Sequence, residues 1–266
     1  MALELTGGDG FAMPLGASLY PPPPYHFKAA QQAWVTYEGD PERVRRLLPP
    51  GVEPDSDPPV VQTWVCWYPW SSFGPYHEAY MMVRVVVDGV RYWYQPVIFT
   101  DNEAPLAAGR EIWGFAKKLA VMRWDWGGAA GGGTRGEQLL FTAERPAGKR
   151  ILTFALSVDR LAQAEENESL PVLSFRHLPP SAVGRPPAAS ELVRLDVAGA
   201  YHESPGLGID FWAGRGSVTM DSPSEVDPWH LLAPAGRVLG GFTHTVDFSL
   251  PLGTVVKDYV AEGRFA

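Results

Sequence analysis

The amino-acid sequence predicts a mainly β protein (α+β), with an antiparallel cone- or barrel-like sheet and a few short helices. Two observations predict this class. Runs of β-branched and aromatic residues recur at short spacing with turn signals between them, and the candidate helices are few and short. The sequence shows no repeated period and no sharp break in composition after residue 24. We therefore expect residues 25–266 to form a single domain.

The first 24 residues have a different character from the rest of the chain. They are rich in glycine, alanine and proline and end in four consecutive prolines, 21–24. Such a run favours an extended polyproline conformation. We expect residues 1–24 to form an arm that lies over the domain or a neighbouring subunit, with a disordered tail as the alternative.

A strand over Trp34–Tyr37 precedes the first predicted helix. Asp40 is a suitable N-cap, and Pro41 fits the first helical position because it needs no hydrogen-bond acceptor there. Val44, Leu47 and Leu48 are expected to form the apolar face of this helix, and the Pro-Pro-Gly sequence 49–51 is expected to end it.

The clearest hairpin signal is Asp88-Gly89, which separates the β-rich segments 80–87 and 90–94. A type I′ turn needs positive φ at both central residues, and Asp-Gly adopts that conformation readily. We therefore expect these two segments to pair as antiparallel strands.

The later elements are predicted by the same criteria. We expect a short helix from about Pro105 to Gly114 and a closing helix over 254–260, after Pro251. Residues 127–136 are glycine-rich and predict a flexible hairpin connection, while 163–191 predict a connection with at least one exposed loop. The expected strands are 119–126, 139–141, 150–158, 192–197, 215–220 and 238–250.

Composition excludes several classes of function. Of the 266 residues, 45% are hydrophobic and 20% are charged, as in ordinary globular proteins. The net charge of −8 argues against nucleic acid or an anionic membrane as a partner, because both need clustered lysine and arginine. One cysteine, Cys66, permits no intrachain disulfide, and no basic and apolar signal segment opens the sequence. We expect a cytoplasmic protein.

Lys117 and Lys118 stand side by side in the apolar segment 109–120. An amine is a nucleophile only without its extra proton, and both burial and a neighbouring positive charge disfavour the ammonium form. Such a lysine can form an imine (Schiff base) with a carbonyl substrate. A pair of solvated surface lysines is the alternative interpretation.

Ordered motifs around this pair resemble those of the acetoacetate decarboxylase superfamily. The most specific block is Gly109-Arg110-Glu111 with the two lysines. The remaining similar segments are Pro24-Tyr25-His26-Phe27, Phe73–Glu78, Thr100–Pro105, His244, Leu250-Pro251 and Asp258-Tyr259. The resemblance implies a cone-like barrel with a closed apolar cavity, and a homo-oligomer. It also implies an enzyme without metal or organic cofactor, since the lysine imine is the electron sink.

The resemblance also assigns roles to residues. Lys117 is expected to be the Schiff-base nucleophile, Lys118 the activating cation, and Glu78 the acid that moves protons or positions substrate. Arg110 and Glu111 are expected to hold the helix that presents the lysines, or to pair with each other. Tyr76, Phe27, Phe115 and His244 are expected to bind substrate or to support the site. For His244, a purely structural role is the alternative.

Three departures from the family pattern bear on the substrate. Ala30 stands where the family has an arginine, Thr63 where the decarboxylase has a second glutamate, and Ala116 where proline usually precedes the lysines. Without a cationic partner a buried carboxylate binds poorly. Acetoacetate is therefore a doubtful substrate, and we expect decarboxylation of a bulkier β-oxo acid, or aldol and dehydration chemistry with a pyruvate-like donor.

Two other functions stay open at this point. The protein could be a non-catalytic ligand-binding or accessory protein that keeps the cavity, or a cyclase or hydratase that forms no covalent intermediate. The scattered histidines show no metal-binding spacing, so we expect no metal.

Overall fold

The computed structural model describes residues 11–14, 16–127, 138–204 and 208–265. In this part of the chain almost all strands join one sixteen-stranded sheet. The strands are β1 Tyr25–Glu38, β2 Glu53–Pro54, β3 Val60–Tyr68, β4 Trp70–Ser71, β5 Tyr76–Val87, β6 Val90–Thr100, β7 Lys117–Leu119, β8 Val121–Gly127, β9 Gln138–Glu144, β10 Arg150–Leu161, β11 Val172–Leu178, β12 Ala189–Leu195, β13 Ala198–Tyr201, β14 Glu203–Ser204, β15 Gly208–Ile209, β16 Phe211–Thr219, β17 Val238–Leu250 and β18 Thr254–Asp258.

The helices are short, as expected. They are α1 Pro41–Arg45, α2 Glu103–Ala108, a π-helical turn Gly109–Trp113, and two 3-10 helices at Ala164–Glu166 and Pro228–Leu232. None of the helices in the described residues has the length and apolar character needed to cross a membrane. The predicted fold class, mainly β with a few short helices, is confirmed.

The sheet is open, and its strand order explains how distant segments meet. The order is β18-β12-β11-β6-β5-β3-β1-β17-β16-β10-β9-β8, with β2, β4, β7 and β13 added at its margins. Most neighbouring strands are antiparallel, but β6 pairs in parallel with both β7 and β11. A separate two-stranded sheet joins β14 and β15.

Several local predictions are confirmed. Asp40 caps α1 by accepting a hydrogen bond from the backbone N of Arg43, and Val44 is buried. The Asp88-Gly89 turn joins β5 to β6, and both of its residues have positive φ, 49° and 80°. The strand 238–250 has the predicted bounds.

Other predictions were wrong in detail. Residues 163–191 contain β11 and the start of β12 as well as loops, and 254–258 form β18 rather than a helix. In β18 the β-branched run Thr254-Val255-Val256 suits a strand, and β12 offers it an antiparallel partner. The single helix predicted over 105–114 is α2 followed by the π-helical turn, and 119–126 is divided between β7 and β8. The connection predicted at 127–136 lies, apart from Gly127, outside the described residues.

Strand alternation separates two sides of the sheet. On β3 and β5 the odd-numbered side chains, such as Val61, Val65 and Met81, join the largest apolar cluster. Even-numbered ones, such as Trp64 and Tyr76, face the other way, where they line a cavity. Because successive side chains of a strand point to opposite faces, the sequence parity of a residue decides which side it reaches.

A β-bulge in β6 changes this parity next to the cavity. Val97 pairs with Met81 and Tyr94 with Val83, so Gln95 and Pro96 together lie opposite Met82. The extra residue shifts the alternation by one. Trp93, Gln95 and Ile98 consequently all face the cavity, the last of them beside Lys117.

Candidate active site

Two buried side chains of opposite charge meet below the sheet. Lys117 Nζ lies 2.6 Å from Glu78 Oε1, and only 5% of Lys117 and 6% of Glu78 is exposed. Both residues neighbour β6, where Glu78 pairs with Thr100 and Lys117 with Ile98. At this depth each charge lacks solvating water and is stabilised mainly by the other.

The main chain before Lys117 is shaped around its side chain. Gly109 begins the π-helical turn and packs on the lysine, so that a Cβ at this position would lie 2.8 Å from both Cδ and Cε of Lys117. Arg110 Nη1 donates a 3.1 Å hydrogen bond to the carbonyl O of Lys117. Gly114, with a φ of 78°, ends the turn in a left-handed conformation that favours glycine. The turn thus makes room for the amine and holds its backbone.

Glu111 has contacts of its own. Its carboxylate accepts a hydrogen bond from the hydroxyl of Tyr20, and its carbonyl O accepts one of 2.7 Å from Arg176 Nε. Burial and this carboxylate raise the pKa of Tyr20, so the hydroxyl keeps the proton that it donates. Arg110 and Glu111 therefore support the turn through separate contacts, and Glu111 ties Tyr20 of the proline-rich arm to it.

The ion pair opens on a cavity of about 410 Å³, a size typical of sites for small organic ligands. The rings of Tyr76 and Phe115 lie 5.7 and 5.8 Å from Lys117 Nζ. Six of the residues singled out from the sequence line this cavity, whereas Arg110, Glu111 and Lys118 do not. The six are Phe27, Tyr76, Glu78, Phe115, Lys117 and His244.

A chain of hydrogen bonds connects Glu78 with His244. The Tyr68 hydroxyl donates to Glu78 Oε2 at 3.3 Å, and Gln32 Nε2 donates to the Tyr68 hydroxyl at 3.4 Å. Gln32 Oε1 lies 2.7 Å from His244 Nε2. Burial raises the pKa of Tyr68 well above its usual value of 10, so its proton stays on the hydroxyl. Glu78 thus has Lys117 at one oxygen and a neutral donor at the other.

The family model described as acetoacetate decarboxylase (ADC) matches residues 12–260 of this chain. The chain belongs to the acetoacetate decarboxylase family.

Individual relatives agree with this assignment. Acetoacetate decarboxylase 2 of Mesorhizobium japonicum is 30% identical over 276 residues, which cover 99% of this chain and 95% of the relative. Acetoacetate decarboxylase of Chromobacterium violaceum is 30% identical over 257 residues, covering 95% and 96%.

Among solved structures, acetoacetate decarboxylase of Legionella pneumophila superposes with a TM-score of 0.79 at 26% identity, over 97% of this chain and all of the other. The acetoacetate decarboxylase-like enzyme of Sphingomonas wittichii has a TM-score of 0.77 at 22% identity, over 95% and 100%. The last likeness is evidence for the fold alone.

Lys118 lies in a different environment from Lys117. Because they are consecutive in β7 their side chains diverge, and Lys118 reaches Asp227 Oδ1 at 2.8 Å as well as the carbonyl O of Val226. Arg145 Nε binds the same carboxylate at 3.1 Å. Two cations therefore share one buried anion, and this group of three carries a net positive charge behind β7. That Lys118 activates Lys117 stays a prediction.

The structure also locates the departures from the family pattern. Ala30 is buried and does not line the cavity, and nearby Lys28 is directed outward, 2.7 Å from Asp247. Thr63 faces the opposite side, where its hydroxyl lies 2.8 Å from that of Tyr37. Lys117 is the one lysine or arginine among the described residues that line the cavity. A substrate carboxylate therefore finds no second cationic side chain there.

Sequence reasoning missed several residues that shape the site. Gly109 belongs to the Gly-Arg-Glu motif, but its packing against Lys117 results from the π-helical turn, which the sequence did not indicate. Tyr68, Gln32 and Gln95 carry no motif, although their spacing along strands was a signal. Even positions of β3 and β5, together with the residues flanking Pro96, would have identified the cavity wall once the strands were paired.

The buried ion pair predicts a strongly non-additive effect on stability. We expect Glu78→Leu to lower the free energy of unfolding by about 3–5 kcal/mol, because it leaves Lys117 as an unpaired buried charge. The double variant Glu78→Leu/Lys117→Met removes both charges and should recover most of that loss. Urea unfolding of the two single variants, the double variant and the unmodified protein measures the coupling. Additive losses would mean that the two groups do not interact in solution.

Proposed function

We propose that this protein is an imine-forming lyase, in which Lys117 attacks the carbonyl carbon of an oxo acid. The carbon–carbon bond then cleaved or formed lies next to that carbonyl. The observation that carries the proposal is the 2.6 Å contact between Lys117 Nζ and Glu78 Oε1, buried at the wall of a cavity of about 410 Å³. The family assignment supports it.

Glu78 supplies a route to the unprotonated amine. A proton that passes from Nζ to Oε1 leaves a neutral amine beside a neutral carboxylic acid, and burial favours a neutral pair over two desolvated charges. The amine then bonds to the carbonyl carbon, and the carbonyl oxygen leaves as water after receiving protons from the acid and from the amine. The product is an iminium ion.

The iminium draws electrons from the neighbouring carbon, which permits two outcomes. In a β-oxo acid the carbon–carboxylate bond breaks, carbon dioxide leaves, and its electron pair forms an enamine. Glu78, which gave its proton to the departing water, then takes a proton from a water molecule and delivers it to the enamine carbon; the hydroxide left behind is consumed when the iminium is hydrolysed. In a pyruvate-like donor Glu78 removes a proton from the methyl carbon, and the enamine attacks an aldehyde before water is lost. Hydrolysis of the iminium regenerates Lys117 in both cases.

The neighbours of like fold include proteins of both kinds. The Legionella protein is an acetoacetate decarboxylase. The enduracididine biosynthesis enzyme MppR, which has a TM-score of 0.79 at 23% identity over 96% of this chain and all of its own, is complexed with the condensation product of pyruvate and imidazole 4-carboxaldehyde. Since no arginine stands among the described residues of the cavity lining to meet a small free carboxylate, acetoacetate is not the substrate that we propose.

The absence of an arginine from the described cavity lining also favours one alternative, a binding or accessory protein that retains the cavity without the chemistry. A third possibility is a cyclase or hydratase that uses the cavity without a covalent step. Both alternatives predict that no substrate becomes attached to Lys117. Homo-oligomerisation and a cytoplasmic location stay predictions, and sedimentation of the purified protein measures the first.

Reductive trapping tests the proposed function directly. Incubation with borohydride and acetoacetate, pyruvate or benzoylacetate should give a stable adduct with at least one oxo acid, mapped to Lys117 by peptide mass spectrometry. Lys117→Met should give no adduct, and Lys28→Met, which removes an exposed amine outside the cavity, should leave trapping unchanged. Trapping at random surface lysines, or at none, would contradict the proposal.

Gly109→Ala should slow imine formation without unfolding the protein. The added methyl displaces the end of the Lys117 side chain, which moves the amine from Glu78 and weakens the buried ion pair without removing either charge. We expect a loss of trapping rate of about tenfold or more, since a displacement of about 1 Å can cost 10²-fold in an organised site. Ala107→Ser adds one atom at a partly buried position of α2, and it is the control for a general disturbance of the helical segment. An unchanged rate with a normal melting curve would show that Gly109 does not position the amine.

Lys118→Met tests whether the neighbouring cation activates Lys117. Its removal takes one positive charge from the group with Asp227 and Arg145, so the ammonium form of Lys117 gains stability. We expect a loss of trapping rate of only a few fold at pH 7, because Lys118 is partly exposed and screened. The loss should shrink at pH 9.5. A loss that is equal at both pH values would indicate that Lys118 only fixes the segment at 226–227.

A further inference from the structure

We infer that the part of the cavity wall formed by Trp64, Tyr80, Trp93, Gln95 and Tyr201 is a second subsite, which binds an aromatic ring bearing a neutral hydrogen-bond donor. We call these five residues the aromatic subsite. The inference deepens the proposed function and rests on it, because it names the class of carbonyl compound that Lys117 would attack.

The rings of the aromatic subsite are parallel enough to receive a planar ligand. Trp64 stacks on Tyr80 with centroids 5.7 Å apart and an angle of 11°, and on Trp34 behind it at 4.2 Å and 8°. Tyr201 stacks on Phe211 at 5.6 Å and 15°. Such rings contribute a large apolar contact area to an aromatic ligand. A four-carbon oxo acid has no group that uses this wall.

Gln95 provides a polar group in the same wall. It is 6% exposed, and its buried Oε1 has no hydrogen-bond partner among the residues that the structure describes. An unpaired buried acceptor costs stability. The bulge with Pro96 turns this side chain to the cavity. A ligand hydroxyl or N–H that reaches Oε1 would satisfy it.

The charges around the aromatic subsite restrict that ligand group to a neutral one. Lys117 is the one lysine or arginine among the described lining residues, and it is paired with Glu78 at 2.6 Å. Glu168, the acid at the rim, is paired with Arg84 at 3.1 Å and Arg91 at 2.6 Å. A carboxylate or phosphate at Gln95 would meet no cation. A phenol or a ring N–H would meet an acceptor.

The spacing along β6 gives the reach of the substrate. Ile98 lies beside Lys117, and Gln95 precedes Ile98 by three residues, roughly 10 Å along a strand. A carbonyl carbon bonded to Lys117 can therefore carry an aryl group whose far substituent approaches Gln95. The class is a carbonyl compound with a hydroxy- or N–H-bearing aromatic ring, either as a substituent of the oxo acid or as the aldehyde that the enamine attacks.

Carbonyl-free probes test the subsite independently of imine formation. Calorimetric titration would compare benzyl alcohol, cyclohexylmethanol and the 2-, 3- and 4-hydroxybenzyl alcohols with the intact protein. We expect the best hydroxy isomer to bind at least tenfold more tightly than benzyl alcohol, and benzyl alcohol more tightly than cyclohexylmethanol. Gln95→Met, which keeps the side-chain volume, should abolish the preference for the ring-hydroxylated isomers over benzyl alcohol. Gln31→Met, on the strand β1 but outside the cavity lining, should retain it.

The outcomes separate this inference from the proposed function. Equal binding of benzyl alcohol and all three isomers, or a hydroxy preference that survives Gln95→Met, would overturn the subsite even if oxo acids are trapped at Lys117. A hydroxy preference that depends on Gln95 supports the subsite. Trapping at Lys117 of hydroxyphenyl oxo acids, or of the condensation product of pyruvate with a hydroxybenzaldehyde, faster than of the unsubstituted compounds, then supports the substrate class, and the absence of both adducts would overturn it.

Discussion

The ion pair between Lys117 and Glu78 is the constraint on which the rest of the site depends. The two residues are not on neighbouring strands, because β6 lies between β5 and β7. Adjacent strands are about 4.8 Å apart, so their main chains are separated by roughly twice that distance. The long lysine side chain and the glutamate side chain lean across Ile98 and meet at 2.6 Å. Any change in the register of β7 would leave both charges buried without a partner.

The contact between Lys117 and Glu78 depends on two irregular segments of backbone. The bulge at Gln95 and Pro96 brings Ile98 to the cavity face, and the parallel pairing of β6 with β7 places Lys117 beside it. The π-helical turn then offers Gly109 as the surface on which the lysine chain packs. With a continuous α-helix in place of the π-helical turn, Gly109 would not pack on Lys117. Without the bulge in β6, Ile98 would not face the cavity. Bulges and π-turns are found often at functional sites for this reason.

The sequence carried local information well and long-range information poorly. The Asp88-Gly89 hairpin and the Asp40 cap depend on neighbouring residues, so they could be predicted. Lys118 could not be placed, because its partner Asp227 is 109 residues away. The strand β18 was mistaken for a helix because its stability depends on pairing with β12 rather than on a local signal. Lys117 and Glu78 were found by resemblance, and their contact required the strand order.

The charge balance of the cavity bears on which reaction the proposed chemistry favours. Lys117 and Glu78 together carry no net charge, whether as ammonium and carboxylate or as iminium and carboxylate, so imine formation leaves the buried electrostatics nearly unchanged. A substrate carboxylate adds one negative charge that no lysine or arginine of the described lining residues neutralises. That charge weakens binding, but its desolvation also destabilises the bound anion relative to neutral carbon dioxide. Loss of carbon dioxide leaves its electron pair on the iminium, which becomes a neutral enamine. The cavity returns to neutrality when a proton is then taken up at carbon. A further cation beside the substrate carboxylate would strengthen its binding and reduce this driving force. A lining whose described residues include no lysine or arginine besides Lys117 is therefore compatible with the proposed decarboxylation of an oxo acid held by its aromatic end.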